Sequence, residues 1–398
     1  MPKQIILEEN TKENKIPAKR IILISLSIFF FLILVVIALI QFNIPQRLLS
    51  SNNTLNTITT NYIYTNKKTT LLSPILVDIP QKPKTQESPI NGQLFTKEEM
   101  NKLMKARPVA VMISNHADAR PVSGLSSADL VIESLVEWGI TRNIAFFWSQ
   151  TPEKVGSVRS ARQYFLEWLS PYDPLYIHVG CASTTNPRTN ACDHLFSYNL
   201  KDVSYFGSWR TTDAYAPHNA YSSVTYAREY GEDRDWSGFP DNFESWQFKE
   251  DLDISQRGDA YRYKIIFHKS LNNRGLYDTI WEYDKLTNSY KRWIGGKIDI
   301  DQENNQQVTA KVVVIQKINM ISAHDDKGRI IQDTIGEGEA IILIDGKEIY
   351  GTWKKTDRMD RTTYYDKNGN EIEFNRGKIW IAAISNTVGD FEIEDKAN

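Results

Sequence analysis

The run from Ile21 to Phe42 constrains this chain more than any other feature, because it is almost continuously apolar, broken only by Ser25, Ser27 and Gln41. At 1.5 Å per residue, a helix of that length reaches about 30 Å, the thickness of a bilayer's hydrocarbon core. A cleaved signal peptide carries a shorter apolar region, about 7–15 residues, followed by small residues at the cleavage site. Here the run ends Ala38-Leu39-Ile40-Gln41-Phe42-Asn43, with no small-x-small pattern and no cysteine to accept a lipid. A retained transmembrane helix over 21–42 is therefore expected, with the lipid bilayer as the first partner. Lys12, Lys15, Lys19 and Arg20 precede the run, and only Arg47 lies close behind it. The positive-inside rule then places residues 1–20 in the cytoplasm and the bulk of the chain outside a single-pass anchor in the cell membrane.

Residues 43–89 are rich in Ser, Thr, Asn, Lys and Pro, as in SSNNTLNTITTNY and IPQKPKTQESP. Such a composition buries too little apolar surface to offset its ordering entropy, so it is read as a disordered linker. About 300 residues remain for folded structure, a length that usually divides in two. Over 90–255, strand candidates (PVAVMIS, PLYIHV, and Asp129–Trp138 paired with Thr141–Ser149 across Gly139) alternate with helix candidates at 157–169 and 219–230. That alternation predicts an α/β (α+β) domain. Over 256–398, short β-type runs such as YRYKIIFH, VTAKVVVIQ and KIWIAAIS are separated by turns at Asp345-Gly346 and Asn368-Gly369, which predicts a smaller, mostly β domain.

The net charge of −2 gives no support to a nucleic-acid binder. The six histidines show no HExxH or other metal-ligand spacing, and neither a P-loop, GxGxxG nor GxSxG occurs, so no metal and no cofactor is expected. Cys181 and Cys192 lie in a Thr/Asn-rich loop and, outside the membrane, are expected to bridge rather than to remain reduced or serve catalysis beside His194.

The most informative stretch is Gly156-Ser157-Val158-Arg159-Ser160-Ala161-Arg162. With Ser157 as N-cap, Arg159 and Arg162 would share one face of the first helical turn, where each cation costs about 0.3–1 kcal/mol against the helix dipole. An anion between the guanidinium groups would reverse that cost. A buried carboxylate partner, Glu133 or Glu137, would do so equally. As a glycosidase pair Glu133 and Glu137 are poorly spaced, since four residues of strand span about 13 Å and such pairs need about 5–9.5 Å. Asn115 and His116 follow the first strand, where α/β proteins commonly bind ligands, and Arg120 lies just beyond. His178, inside an apolar run, reads as a core residue.

RPVAVMISNHADARPVSGLSSADLVIESLVEWGITRNIAFF, PEKVGSVRSAR and YDPLYIHVG resemble the YerB-like family of bacterial proteins, described as lipoproteins, as do GEGEAIILIDGKEIYGTWKK and YYDKNGNEIEFNRGKIWI. The resemblance covers about residues 90–390 and implies an N-terminal α/β-type domain followed by a β-rich one, with no established function. The chain departs from it in lacking a lipid-attachment cysteine and in carrying Cys181 and Cys192. TRNIAFFWSQTPEKVGSVRSAR is also similar to part of the LytR–CpsA–Psr family, extracytoplasmic enzymes that transfer lipid-pyrophosphate-linked glycans. That likeness implies a phosphate-binding role for Arg159 and Arg162, but the Asp of the family's Arg-Asp pair is missing.

The expectation is a cell-envelope binding or scaffolding module with an anion site at Arg142, Arg159 and Arg162, its ligand an envelope glycan or lipid phosphate. Phosphoglycan transfer or hydrolysis, and an ectodomain that only binds a protein partner, are the alternatives.

Overall fold

Hydrophobic runs with both faces buried are what the centre of a large sheet requires, and this chain supplies them from two distant segments. The computed structural model describes residues 82–204, 207–259, 261–270 and 275–394. The expected anchor at 21–42, and the linker as far as residue 81, lie outside them. No helix among the described residues is long and apolar enough to cross a membrane.

Along the chain, the strands of the two main sheets are β1 (Val109–Ser114), β2 (Leu130–Leu135), β3 (Thr141–Phe147), β4 (Leu175–Ile177), β5 (Lys201–Asp202), β6 (Arg262–Ile266), β7 (Thr279–Asp284), β8 (Ser289–Ile294), β9 (Lys297–Ile298), β10 (Val312–Ile318), β11 (Gly336–Ile344), β12 (Lys347–Lys355), β13 (Thr363–Asp366), β14 (Ile379–Ser385) and β15 (Asp390–Glu394), with the short strand Thr309–Ala310 also paired to β8. Among the described residues the α-helices are α1 (Lys97–Leu103), α2 (Gln163–Leu169), α3 (Ala191–Ser197) and α4 (Val224–Glu232). The larger sheet has ten strands in the order β13-β12-β11-β10-β14-β2-β3-β1-β4-β5. β14 lies parallel to β10 on one side and to β2 on the other, with Ile379 opposite both Val312 and Leu130. The sheet is thus continuous across the two sequence segments.

Alternate residues of its central strands enter two cores. Ala110, Met112, Ile132, Ile144 and Ile381 pack with Tyr164, Phe165 and Trp168 of α2. Val111, Ile113, Val131, Ala145 and Trp380 pack with Tyr263, Ile265, Trp281 and Tyr290 of the second sheet, whose order is β9-β8-β7-β6-β15. The period-2 pattern of Tyr263, Ile265, Trp281 and Tyr283 explains why that sheet buries one face only.

Between the sheets sits a buried ionic cluster. Arg292 of β8 donates through Nη2 to Glu133 of β2 at 2.8 Å, and through Nη1 to Asp299. Glu133 and Arg292 are 0% exposed, and Asp299 is 3% exposed. Glu133 also accepts from Thr141 Oγ1 at 2.8 Å, Asn115 Nδ2 at 2.7 Å and Trp380 Nε1 at 3.2 Å.

Several expectations change. The helix expected from Ser157 begins at Gln163, with Arg162 as N-cap. Residues 157–161 run extended, because the N–H groups of Val158, Arg159 and Ala161 donate to the carbonyls of Ala220, Met112 and Gly180. Val158 and Ala161, three residues apart and so on one side of a helix had it formed, enter opposite cores. The later helix is α4, capped by the Ser223 hydroxyl, and Ala220–Ser222 before it is a strand. Part of the segment read as linker is ordered, since Gln86–Glu87 pairs with Leu94–Phe95. The Thr141–Phe147 hairpin partner, the Asp345-Gly346 turn with both residues at positive φ, and the Cys181–Cys192 disulfide are present as expected.

Removing the guanidinium would strand two buried carboxylates. Arg292→Met is expected to cost about 3–5 kcal/mol, read as a lower urea midpoint with an unchanged slope.

Candidate functional site

The strands β1, β2, β4, β5, β10 and β14 all run the same way. Their carboxyl ends therefore share one edge, the position where open α/β sheets commonly bind ligands. A cavity of about 300 Å³ lies there, lined by residues that follow β1 (His116), β2 (Glu137, Trp138) and β10 (Lys327, Arg329), and by Arg142, Arg159 and Arg162. Five cationic side chains thus face a single carboxylate in its lining.

The five differ in their partners. Arg162 forms a two-pronged pair with Glu137: Nε donates to Oε1, and Nη2 donates to Oε2 at 2.9 Å. Burial pushes the Glu137 carboxyl up, but the hydrogen bonds and charge of Arg162 outweigh it and hold the group below its usual range. Arg329 pairs with Asp325 at 2.9 Å, and Lys327 with exposed Asp326 at 3.1 Å. Arg142, 6% exposed, donates Nη1–H to the Ser160 carbonyl at 2.5 Å and has no carboxylate partner among the described residues. Burial first, and then the nearby Arg162 charge, push its guanidinium down to about 9, so it remains cationic at neutral pH. Arg159 donates to the Pro217 carbonyl at 3.1 Å, also without a carboxylate partner among the described residues, and burial and Arg162 lower it.

Trp138 forms the exposed lip. The residue is 70% exposed, and its backbone holds φ +63°, a conformation that a bulky residue adopts at a cost. Gly328, at φ +67°, lies against it, and a Cβ there would come within 2.9 Å of the indole. Glycine lets the Lys327–Arg329 turn close over the tryptophan.

Of the residues singled out in the sequence, Arg142, Arg159, Arg162, Glu137 and His116 meet at this cavity. The others do not. Glu133 is spent on Arg292, and Asn115 holds Glu133 and Thr141 through its amide. Arg120 donates to the Leu276 carbonyl at 2.9 Å and lies over the Tyr277 ring. The disulfide ties the segment after β4 to α3, away from the cavity lining. Lys327, Arg329 and Trp138 were missed. Their neighbours in sequence carry no pattern for them, and only the pairing of β14 with β2 brings the segment after β10 alongside.

Two family models match, "Protein of unknown function (DUF3048) N-terminal domain" over residues 95–237 and the corresponding C-terminal domain over 270–381. The Bacillus subtilis (strain 168) protein named "Putative lipoprotein YerB" is 32% identical over 312 residues, covering 77% of this chain and 88% of that protein. The crystal structure of the YerB protein from Bacillus subtilis is similar at a TM-score of 0.67 and 28% identity, covering 77% of this chain and 100% of that one. The chain belongs to the YerB family, whose members carry an N-terminal and a C-terminal domain and whose function is not established.

Proposed function

We propose that this protein is a membrane-anchored, extracytoplasmic binding module of the cell envelope, and that its arginine cavity takes a phosphate-bearing anion. The relative's description as a lipoprotein supports a membrane tether. Cys181 and Cys192 are the chain's two cysteines and are bonded to each other, which leaves the apolar run Ile21–Phe42 as the tether here. Its flanking charges put the folded part outside.

The observation that carries the anion reading is Arg142. A buried cation without a paired carboxylate is costly, because desolvation of an ion costs several kcal/mol, and the Ser160 carbonyl and the charge of Glu137, already held by Arg162, offset it only in part. Arg159 beside it is half-buried and likewise has no carboxylate partner among the described residues, and Arg162 is only balanced by Glu137. A ligand oxygen between Arg142 and Arg159 would gain charge-assisted, two-pronged hydrogen bonds, the mode in which guanidinium groups hold phosphate. Envelope glycan phosphates and lipid phosphates share that chemistry.

Titration calorimetry of the full-length chain with pyrophosphate at low salt is the test, alongside Arg142→Met and Arg159→Ala. The expected result is one-to-one binding, weakened at least about tenfold in each variant. Arg142→Met should also be more stable than the parent without ligand, by about 1 kcal/mol or more, since an apolar side chain of similar volume replaces an unpaired charge. Absence of binding heat, together with a less stable Arg142→Met, would assign the arginines to the structure alone.

A further inference from the structure

The sequence shows no metal-ligand spacing, but the fold makes one. His116, at the N-cap of the turn Ala117–Ala119, and His218, in the loop before Ala220–Ser222, meet with their rings stacked at 4.6 Å between centroids. Asp118 completes the group, and one donor atom from each of the three lies within 4.8 Å of the others.

The geometry points to a divalent transition-metal site formed by His116, Asp118 and His218 at the rim of the arginine cavity. His116 Nδ1 and Asp118 Oδ2 stand 3.6 Å apart, close to the roughly 3.3 Å that separates two ligand atoms of a tetrahedral zinc ion with bonds of about 2.0–2.1 Å. The His116 lone pair is engaged only by the Asp118 backbone N–H at 3.2 Å, which is near the surface and accessible to water once a metal replaces it. His218 Nδ1 is shielded and has no protein hydrogen-bond partner among the described residues, so no other group competes with a metal for it. The Asp118 side chain is 75% exposed and that of His116 is 29% exposed, so both are free to close the remaining distance.

Two imidazoles and one carboxylate suit zinc and its neighbours in the first transition row rather than magnesium or calcium, which take oxygen ligands. Three protein ligands leave a fourth position for water or an incoming oxygen. His116 itself lines the cavity, and Arg159 grips the carbonyl of Pro217, the residue before His218. The metal would therefore sit beside the arginines, where an anion could bridge the two. This bridging rests on the anion reading above; the metal site does not.

The test is calorimetric titration of the metal-stripped full-length chain with Zn²⁺ alone, without phosphate, paired with melting curves in chelator. The parent should bind one equivalent and melt higher with zinc. His218→Ala and Asp118→Asn should each bind at least about a hundredfold more weakly, since each loses a direct ligand. Arg142→Met should bind zinc as the parent does, which separates this site from the anion reading. Melting temperatures of His218→Ala and Asp118→Asn equal to the parent's in chelator would show that these two variants are folded. Zinc binding that is absent in the parent, or unchanged in both His218→Ala and Asp118→Asn, would overturn the proposal and place any bound metal on other histidines.

Discussion

The buried cluster of Glu133, Arg292 and Asp299 is the constraint on which the rest of the structure turns. Three ionised groups cannot leave water unless their hydrogen bonds are met, and here Thr141, Asn115 and Trp380 complete the set around Glu133. Glu133 comes from the ten-stranded sheet, and Arg292 from the sheet that packs on it. A slip of either strand by one residue would carry a charge into an apolar layer, so the cluster fixes register as well as contact. It also reaches the cavity. Asn115, held to Glu133 at 2.7 Å, is followed directly by His116 on the cavity rim.

Much of this fold was legible because strand patterns are local. The β2–β3 hairpin, the Asp345-Gly346 turn and the apolar β10 and β14 runs could be read from period and turn residues alone. What could not be read was partnership. Nothing in VVVIQ or IWIAAIS says that β14 will lie between β10 and β2, since parallel pairing across such separation leaves no mark in either strand. The helix start at Ser157 failed for the same reason. Its spacing of Val158, Ala161 and Phe165 is helical, but long-range carbonyls claim the N–H groups first.

The site divides likewise. Arg159 and Arg162 stood out as cations with no local carboxylate, and Glu137 proved to be the partner of one of them. Glu133, read in the same breath, belongs to the interior. Lys327 and Arg329 were invisible, because their place arises from the shared edge of parallel strands rather than from neighbouring residues, and His218 because a loop distant in sequence brings it to His116. The result is a cavity that concentrates positive charge where the sheet's carboxyl ends converge, with a strained, exposed Trp138 at its lip. Arg142 is buried there with a carbonyl as its hydrogen-bond partner and no paired carboxylate among the described residues, the feature on which the proposed anion site rests.

The most direct measurement is selenium anomalous scattering from crystals of this protein soaked in selenate, a tetrahedral oxyanion that can be located without ambiguity. The expected result is a peak inside the cavity, within hydrogen-bonding distance of both Arg142 and Arg159. Selenate found only on exposed lysines, with the cavity holding none, would contradict it.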